Sequence, residues 1–316
     1  MTELSHVLVL AGGLSPEREV SLRSGHRVCD ALRAAGVDAL TVDADAALIP
    51  IIADDPPDAA FPAIHGGCGE DGAVREVLDL FGVPFVGATA AACRFAFDKP
   101  TAKTLVTAAG LATPAAVTLP RETFQDLGAA AVLDRIVTRL GLPLFVKPSR
   151  GGSALGASAV RTADALPDAM FNCFAYGDTA LIERYVAGTE VAVGVVDLGD
   201  GPQALPAVEI VPDEGAYDYT ARYTAGRTEF YTPARIPSAA PAAAHAAVTA
   251  HTALGLRDLS RTDLIVDGDG DVWFLEVNVA PGMTETSTLP MALAAAGYEF
   301  GKVCHDLLVR AVERGR

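Results

Sequence analysis

Ser260-Arg-Thr-Asp-Leu-Ile-Val-Asp-Gly-Asp-Gly-Asp-Val-Trp-Phe-Leu-Glu-Val-Asn278 places two apolar runs on either side of a glycine–aspartate turn, the pattern of a β-hairpin. With the loop at 268–271, Asp263 stands opposite Glu276 and Arg261 opposite Asn278. Side chains alternate faces along a strand, so these four polar groups fall on one face. Two carboxylates and an amide oxygen meeting there are hard oxygen ligands, suited to Mg²⁺ that also holds phosphates. The alternative is a solvent-facing sheet with cross-strand salt bridges, which fits less well with Trp273, Phe274 and Leu275 in the same hairpin. The turn itself does not match a calcium loop. Val272 stands where an EF-hand needs its glycine, and Asn278 where it needs a bidentate glutamate.

A second hairpin is written in Leu144-Phe-Val-Lys-Pro-Ser-Arg-Gly-Gly-Ser-Ala-Leu-Gly-Ala-Ser-Ala-Val160. Lys147 ends one strand, and Gly151, Gly152, Ser153 and Gly156 form the loop before the next. Glycines let backbone N–H groups approach an anion, and Lys147 supplies charge. It is not a Walker loop, because the lysine precedes the glycines. A flexible tip with a solvated lysine remains the other reading.

Working outward, residues 1–98 alternate strand and helix patterns. Strands are predicted at 6–10, 39–42, 61–64 and 84–86, with helices at 16–35 and 70–81. Such alternation implies parallel pairing with helical crossovers, hence a Rossmann-like unit. Beyond Lys99, helices at 100–109 and 122–140 precede strands at 144–147, 157–160, 180–183 and 190–196. That order indicates an antiparallel α+β unit. Residues 238–254 begin as a linker and continue as helix, and a helix over 292–312 closes the chain.

The 316 residues suit two or three domains of roughly 100–200 residues. With 24 basic and 40 acidic residues the net charge is −16, which argues against broad nucleic-acid binding but allows a local positive pocket. No apolar run has the length of a membrane span, and the N-terminal sequence reads as a first strand rather than a signal peptide. Five scattered cysteines, with no C-x-x-C pair, predict neither disulfides nor zinc and fit a reducing cytoplasm.

Two further segments carry polar groups at strand ends. In Ala11-Gly-Gly-Leu-Ser-Pro-Glu-Arg-Glu-Val-Ser21, Ser15 is a candidate N-cap and Pro16 suits a first helical position. Glu17 either complements the helix dipole or holds a ligand ammonium at the carboxyl edge of the sheet. The segment lacks G-x-G-x-x-G, which sets a dinucleotide oxidoreductase aside. Ala63-Ile-His-Gly-Gly-Cys-Gly-Glu-Asp-Gly72 carries His65 and Glu70, and alone decides nothing.

Taken in order, these segments resemble the D-alanine–D-alanine ligases of the ATP-grasp superfamily. The resemblance runs through Gly12–Leu22, His65–Gly72, Asp98-Lys99, Lys147-Pro148 with Gly152–Gly156, Glu183–Glu190, Tyr217–Tyr223, Arg261–Asp263 and Glu276–Ser287. It implies an ATP-grasp fold of mixed α/β and α+β class: an N-terminal Rossmann-like domain (1–98), a central α+β lid (99–182) and a C-terminal α+β domain (183–316).

It also implies an ATP-dependent ligase that joins two D-alanines through an acylphosphate for peptidoglycan synthesis. Such an enzyme would be a cytoplasmic homodimer acting on small molecules. Lys99 and Lys147 would contact ATP phosphates beneath the loop of Gly151, Gly152 and Gly156. Glu183, Tyr185 and Val186 would contact adenine, and Glu190 the ribose, with Arg222 also at the nucleotide. Asp263, Glu276 and Asn278 would bind two Mg²⁺ or Mn²⁺ ions. Glu17 would hold the first ammonium, linked through Ser153 to Tyr223, with His65 nearby. Arg261 and the Gly282 N–H would steady the oxyanion, while Ser287 and Thr288 lie at the second substrate. Arg222, Ala154 and Thr288 depart from the usual lysine, serine and leucine; Arg222 keeps the charge but not its point-like geometry. Tyr223 disfavours a depsipeptide product. A ligase making D-Ala-D-Ser or an antibiotic-pathway dipeptide is the alternative, and a non-catalytic ATP-binding module is a more distant one.

Overall fold

A computed structural model describes residues 4–213 and 226–315. Three sheets organise it. The first is parallel, with β1 (Val7–Ala11) central between β2 (Ala39–Asp43) and β3 (Ala59–Pro62). Helices α1 (Arg18–Ala34), α2 (Leu48–Asp54), α3 (Ala73–Leu80) and α4 (Ala90–Phe97) follow its strands. The second is antiparallel and lies after α5 (Lys99–Ala108). It orders β4 (Ala116–Pro120), β7 (Thr179–Arg184), β5 (Leu144–Pro148) and β6 (Ser158–Val160), with α6 (Arg121–Leu127), α7 (Ala129–Leu140) and α8 (Leu166–Phe174) between them in sequence. The third runs β11 (Thr228–Tyr231), β10 (Val208–Pro212), β8 (Gly188–Val196), β12 (Leu259–Asp267) and β13 (Val272–Asn278), with β9 (Gln203–Ala204) paired to β8. Helices α9 (Ala240–Ala253), α10 (Thr288–Ala295) and α11 (Phe300–Gly315) complete the chain.

The mixed α/β and α+β architecture is as expected, and the differences are local. The first helix starts at Arg18, so Ser15 is not its cap. Its hydroxyl donates to the His65 carbonyl at 2.6 Å and so ties two loops at the strand ends. Residues 84–86 contribute one bridge, Phe85 to Ala60, rather than a strand. The helix expected over 122–140 is two helices that meet at Gly128, and that over 292–312 is two separated at 296–299.

The deciding hairpin reaches the expected face by an unexpected route. Asp267 N–H bonds the Asp271 carbonyl at 3.0 Å, closing a three-residue loop in which Gly270 has φ +87°. The carboxylate of Asp267 accepts from Asp269 N, Asp271 N and Trp273 Nε1, which accounts for the acidic turn without calcium. Pairing near the turn is therefore Val266 to Val272, one residue out of the predicted register. A bulge beside Leu264 leaves Leu275 as the extra residue and restores Asp263 to Glu276 and Arg261 to Asn278.

Shared cores join the large sheet to its helices and to the parallel sheet, while the second sheet packs against α6, α7 and α8 in a core of its own. Val191, Val193, Leu264, Phe274 and Val277 of the large sheet pack with Ala102 and Val106 of α5 and with the alanine face of α9. Val7, Val9 and Phe61 of the parallel sheet share a second cluster with Leu289, Leu307 and Leu308. Asp258, fully buried, accepts from Arg314 Nη1 and Nη2 (2.7 and 2.6 Å) and from Gly87 N–H (2.7 Å). Among the described residues no helix is long and apolar enough to cross a membrane. Replacing Asp258 by Asn preserves its left-handed backbone, φ +66°, which asparagine tolerates. It leaves the Arg314 cation unmatched and should cost about 2 kcal/mol, less than for a fully buried pair because Arg314 reaches solvent. Urea unfolding measures this, and an unmoved midpoint would contradict it.

Candidate active site

Two adjoining cavities lie between the sheets, of about 690 Å³ and about 350 Å³. Lys99, Gly151, Gly152, Asp263 and Glu276 line both. Lys147, Glu183, Tyr185, Val186 and Glu190 face the larger one. Glu17, His65, Ser153, Arg261, Asn278, Gly282, Ser287 and Thr288 face the smaller. The sequence candidates thus separate into two sets that meet at the carboxylates of the hairpin. Gly156 lines neither cavity; it turns the loop against Tyr176 and Pro148. Arg222 and Tyr223 lie outside the described residues.

The larger cavity is framed by buried charge. Strand β5 presents Lys147, whose ammonium lies 2.8 Å from Glu183 Oε2 on neighbouring β7. Burial opposes the Lys147 charge, but Glu183, Glu276 and Asp263 outweigh it and hold the ammonium above its ordinary value. Burial would also raise Glu183, and Lys147 with Lys103 instead holds it below the usual carboxylate range. Lys99 donates to the Gly151 carbonyl at 2.7 Å and lies 3.4 Å from Glu276 Oε2, so helix α5 grips the glycine loop from beneath. A bidentate pair, Arg235 on Glu209 (2.9 and 2.7 Å), stands in the same wall.

At the smaller cavity, Ser153 donates to Glu17 Oε1. Ser153 takes φ +54°, a region L-residues seldom occupy, and Ala154 follows at +55°. Gly66 (φ +68°) is crowded by carboxyl groups. A Cβ there would fall 2.2 Å from Glu17 Oε2, while its N–H donates to Glu70 Oε1 at 2.8 Å. Burial first, and then the charge of Glu17, push the Glu70 carboxyl up to about 7. Arg261 forks onto both oxygens of Asp263 (2.7 and 2.9 Å). Gly282 packs against the Ser287 hydroxyl, which caps the turn by accepting from Thr284 N–H at 3.1 Å.

His65 is part of the wall and also a strut. Its Nδ1 meets the Ala280 carbonyl at 2.9 Å and its Nε2 the Ser24 hydroxyl at 2.8 Å. A carbonyl only accepts, so the partners assign the proton to Nδ1 and leave Nε2 as acceptor. Burial lowers the ring to about 4, which keeps it neutral. Ser24 Oγ accepts in turn from Met283 N–H at 3.0 Å, so this chain of bonds sets the position of the loop carrying Gly282.

Sequence reasoning missed Lys103 and the Arg235–Glu209 pair, and left Glu70 undecided. The signal for Lys103 was present: it lies four residues after Lys99, on a helix face otherwise made of Ala102 and Val106.

Glu70 gives a pH test. Between its ordinary value of 4.5 and about 7, the folded state keeps a proton that the unfolded chain has released. Its stabilising contribution is therefore present at low pH and lost as pH rises through that window. Wild type should lose stability relative to Glu70→Gln between pH 4.5 and 8, by on the order of 3 kcal/mol. Parallel unfolding free energies across that range would contradict this.

Comparison with known proteins adds independent findings. The family model described as D-ala D-ala ligase C-terminus matches residues 105–309. A D-alanine–D-alanine ligase of Anaeromyxobacter sp. (strain Fw109-5) is 42% identical over 303 residues, covering 96% of this chain and 95% of that one. Among solved structures, the VanG D-Ala:D-Ser ligase of Enterococcus faecalis superposes with a TM-score of 0.84 at 28% identity, covering 98% of this chain and 100% of that one. The D-alanine–D-alanine ligase of Bacillus anthracis complexed with ATP gives 0.82 at 26% identity, covering 99% of each chain. Sequence and architecture agree along nearly the whole chain, which belongs to the D-alanine–D-alanine ligase family, with an ATP-grasp fold.

Proposed function

We propose that the chain joins two D-alanines at the expense of ATP, releasing ADP and phosphate, to supply peptidoglycan precursors. The observation that carries this reading is the pair of adjoining cavities, one lined by lysines and a glycine loop, the other by Glu17, Arg261 and Ser287. A carboxylate is a poor electrophile, so its oxygen must first take the γ-phosphoryl group of ATP. The amine of the second D-alanine, having shed a proton, then attacks the carbonyl carbon. Phosphate leaves with the carboxylate oxygen and the peptide bond forms. Positioning and charge stabilisation supply most of the rate in such transfers.

In this reading ATP occupies the larger cavity, with its base at Glu183, Tyr185 and Val186, its ribose at Glu190 and its phosphates at Lys99 and Lys147. Glu17 holds the first ammonium and Ser153 orients Glu17. Arg261 with Gly282 N–H faces the developing oxyanion, and Ser287 with Thr288 faces the second carboxylate. Asp263, Glu276 and Asn278 are the residues that would hold Mg²⁺ or Mn²⁺. Among the described residues no group of three His, Cys, Asp or Glu side chains is placed to hold a metal ion by itself; two carboxylates and an amide oxygen would suit Mg²⁺, which takes oxygen ligands and is commonly held by only one or two carboxylates. When bound, such ions would neutralise charge on the transferring phosphoryl group. Five free cysteines are consistent with a cytoplasmic setting.

A coupled ADP-release assay across D- and L-amino acids, with products identified by mass, tests the reading. D-alanine should give the fastest release and D-alanyl-D-alanine the product. Faster turnover with D-serine as acceptor would shift the reading toward the activity named for the Enterococcus relative, and release independent of any amino acid would overturn it. Glu276→Gln should lower kcat by roughly a hundredfold at limiting Mg²⁺; near-normal activity would remove Glu276 from the ion site. Ser153→Ala should raise KM for the first substrate about tenfold by removing the hydroxyl that orients Glu17. An unchanged KM would leave Ser153 to loop packing.

A further inference from the structure

Lys103 has no role in the reaction as described, yet its charge is buried and fully engaged. It sits one turn after Lys99 on α5, with its side chain only 8% exposed. Its ammonium donates to the Pro114 carbonyl at 2.9 Å and to Glu183 Oε1. The other Glu183 oxygen meets Lys147 at 2.8 Å. One carboxylate thus lies between two ammonium groups, which pull on its two oxygens from opposite partners. Burial, reinforced by the like charge of Lys147 and only partly offset by Glu183, draws Lys103 below its ordinary value. Lys147 also faces Glu276 and Asp263, which have Lys99 and Arg261 as partners of their own.

The geometry has a directional consequence. Glu183 faces the larger cavity, whereas Lys103 stands behind it, outside that lining. Without Lys103, Lys147 would be the only cation among the described residues holding this carboxylate and could draw both oxygens toward itself. With Lys103 in place, one oxygen is pinned and the carboxylate plane is fixed. A carboxylate accepts hydrogen bonds and cannot donate them, so at a purine it selects an amino group over a keto group.

We propose that Lys103 is a positioning residue for base recognition, holding Glu183 so that the site prefers a purine with a 6-amino group. The proposal rests on the reading that Glu183 faces adenine, and deepens it. The contribution acts through Glu183 and needs the Lys103 charge, not merely its bond to the Pro114 carbonyl.

The test is a comparison of KM and kcat for ATP and for inosine triphosphate, which carries a 6-keto group. Wild type, Lys103→Met and Lys103→Gln are compared, with thermal unfolding midpoints alongside. Lys103→Met should raise KM for ATP about ten- to a hundredfold, with kcat little changed and KM for inosine triphosphate much less affected. Its ATP preference should therefore collapse. Lys103→Gln can still donate to Pro114 but carries no charge, and should lose the preference in the same way; it decides the matter if the methionine variant does not fold. Equal losses for both nucleotides, or a glutamine variant with wild-type preference, would overturn the proposal while leaving Glu183 at the base. Absence of any preference in wild type would overturn the Glu183 reading itself, and this proposal with it.

Discussion

Opposite charges buried against one another along the cleft are the constraint on which the site depends. Lys147 and Lys103 hold Glu183, Arg261 holds Asp263, and Lys99 reaches both Glu276 and the glycine loop. Burying any of these alone would be costly, and burying them as pairs gains little net stability. Their effect is on arrangement. Arg261 and Asp263 share β12, but the others join residues from different elements: α5 to β7, β5 to β7, and α5 to β13. A small relative shift of the sheets would leave several charges unmatched at once, so the electrostatics restrict the cleft to a narrow set of geometries.

The division into two cavities follows from the same arrangement. The hairpin carboxylates stand where the cavities meet, next to Lys99 and the start of the glycine loop. An anion entering from the larger side meets Lys147 and Lys99, whereas an ammonium entering from the smaller side meets Glu17. His65 contributes by staying neutral: its two hydrogen bonds join the end of the parallel sheet to the loop carrying Gly282. That role explains a buried histidine without asking it to exchange protons.

Much of this was legible in the chain because period-two alternation and turn chemistry are local. The hairpin face bearing Arg261, Asp263, Glu276 and Asn278 could be read directly, yet the reading succeeded through two compensating departures, a shorter loop and a bulge at Leu275. Neither leaves a sequence signal strong enough to place it. Helix α2, which contains Pro50, and the short edge strands β4 and β11 were not anticipated, since their patterns are brief and their stability comes from neighbours. The partners of Glu183 were hidden for a different reason. Lys103 and Lys147 converge on it from 80 and 36 residues away in sequence, a proximity created by strand pairing for Lys147 and by the packing of α5 for Lys103.

In the proposed reaction a substrate carboxylate meets the terminal phosphate of ATP in the cleft, and an oxygen passes from one to the other. D-alanine labelled with ¹⁸O in both carboxylate oxygens measures this directly through the mass of the inorganic phosphate released. Transfer through an acylphosphate predicts one ¹⁸O atom in the phosphate per peptide formed. Unlabelled phosphate accompanying labelled dipeptide would contradict it.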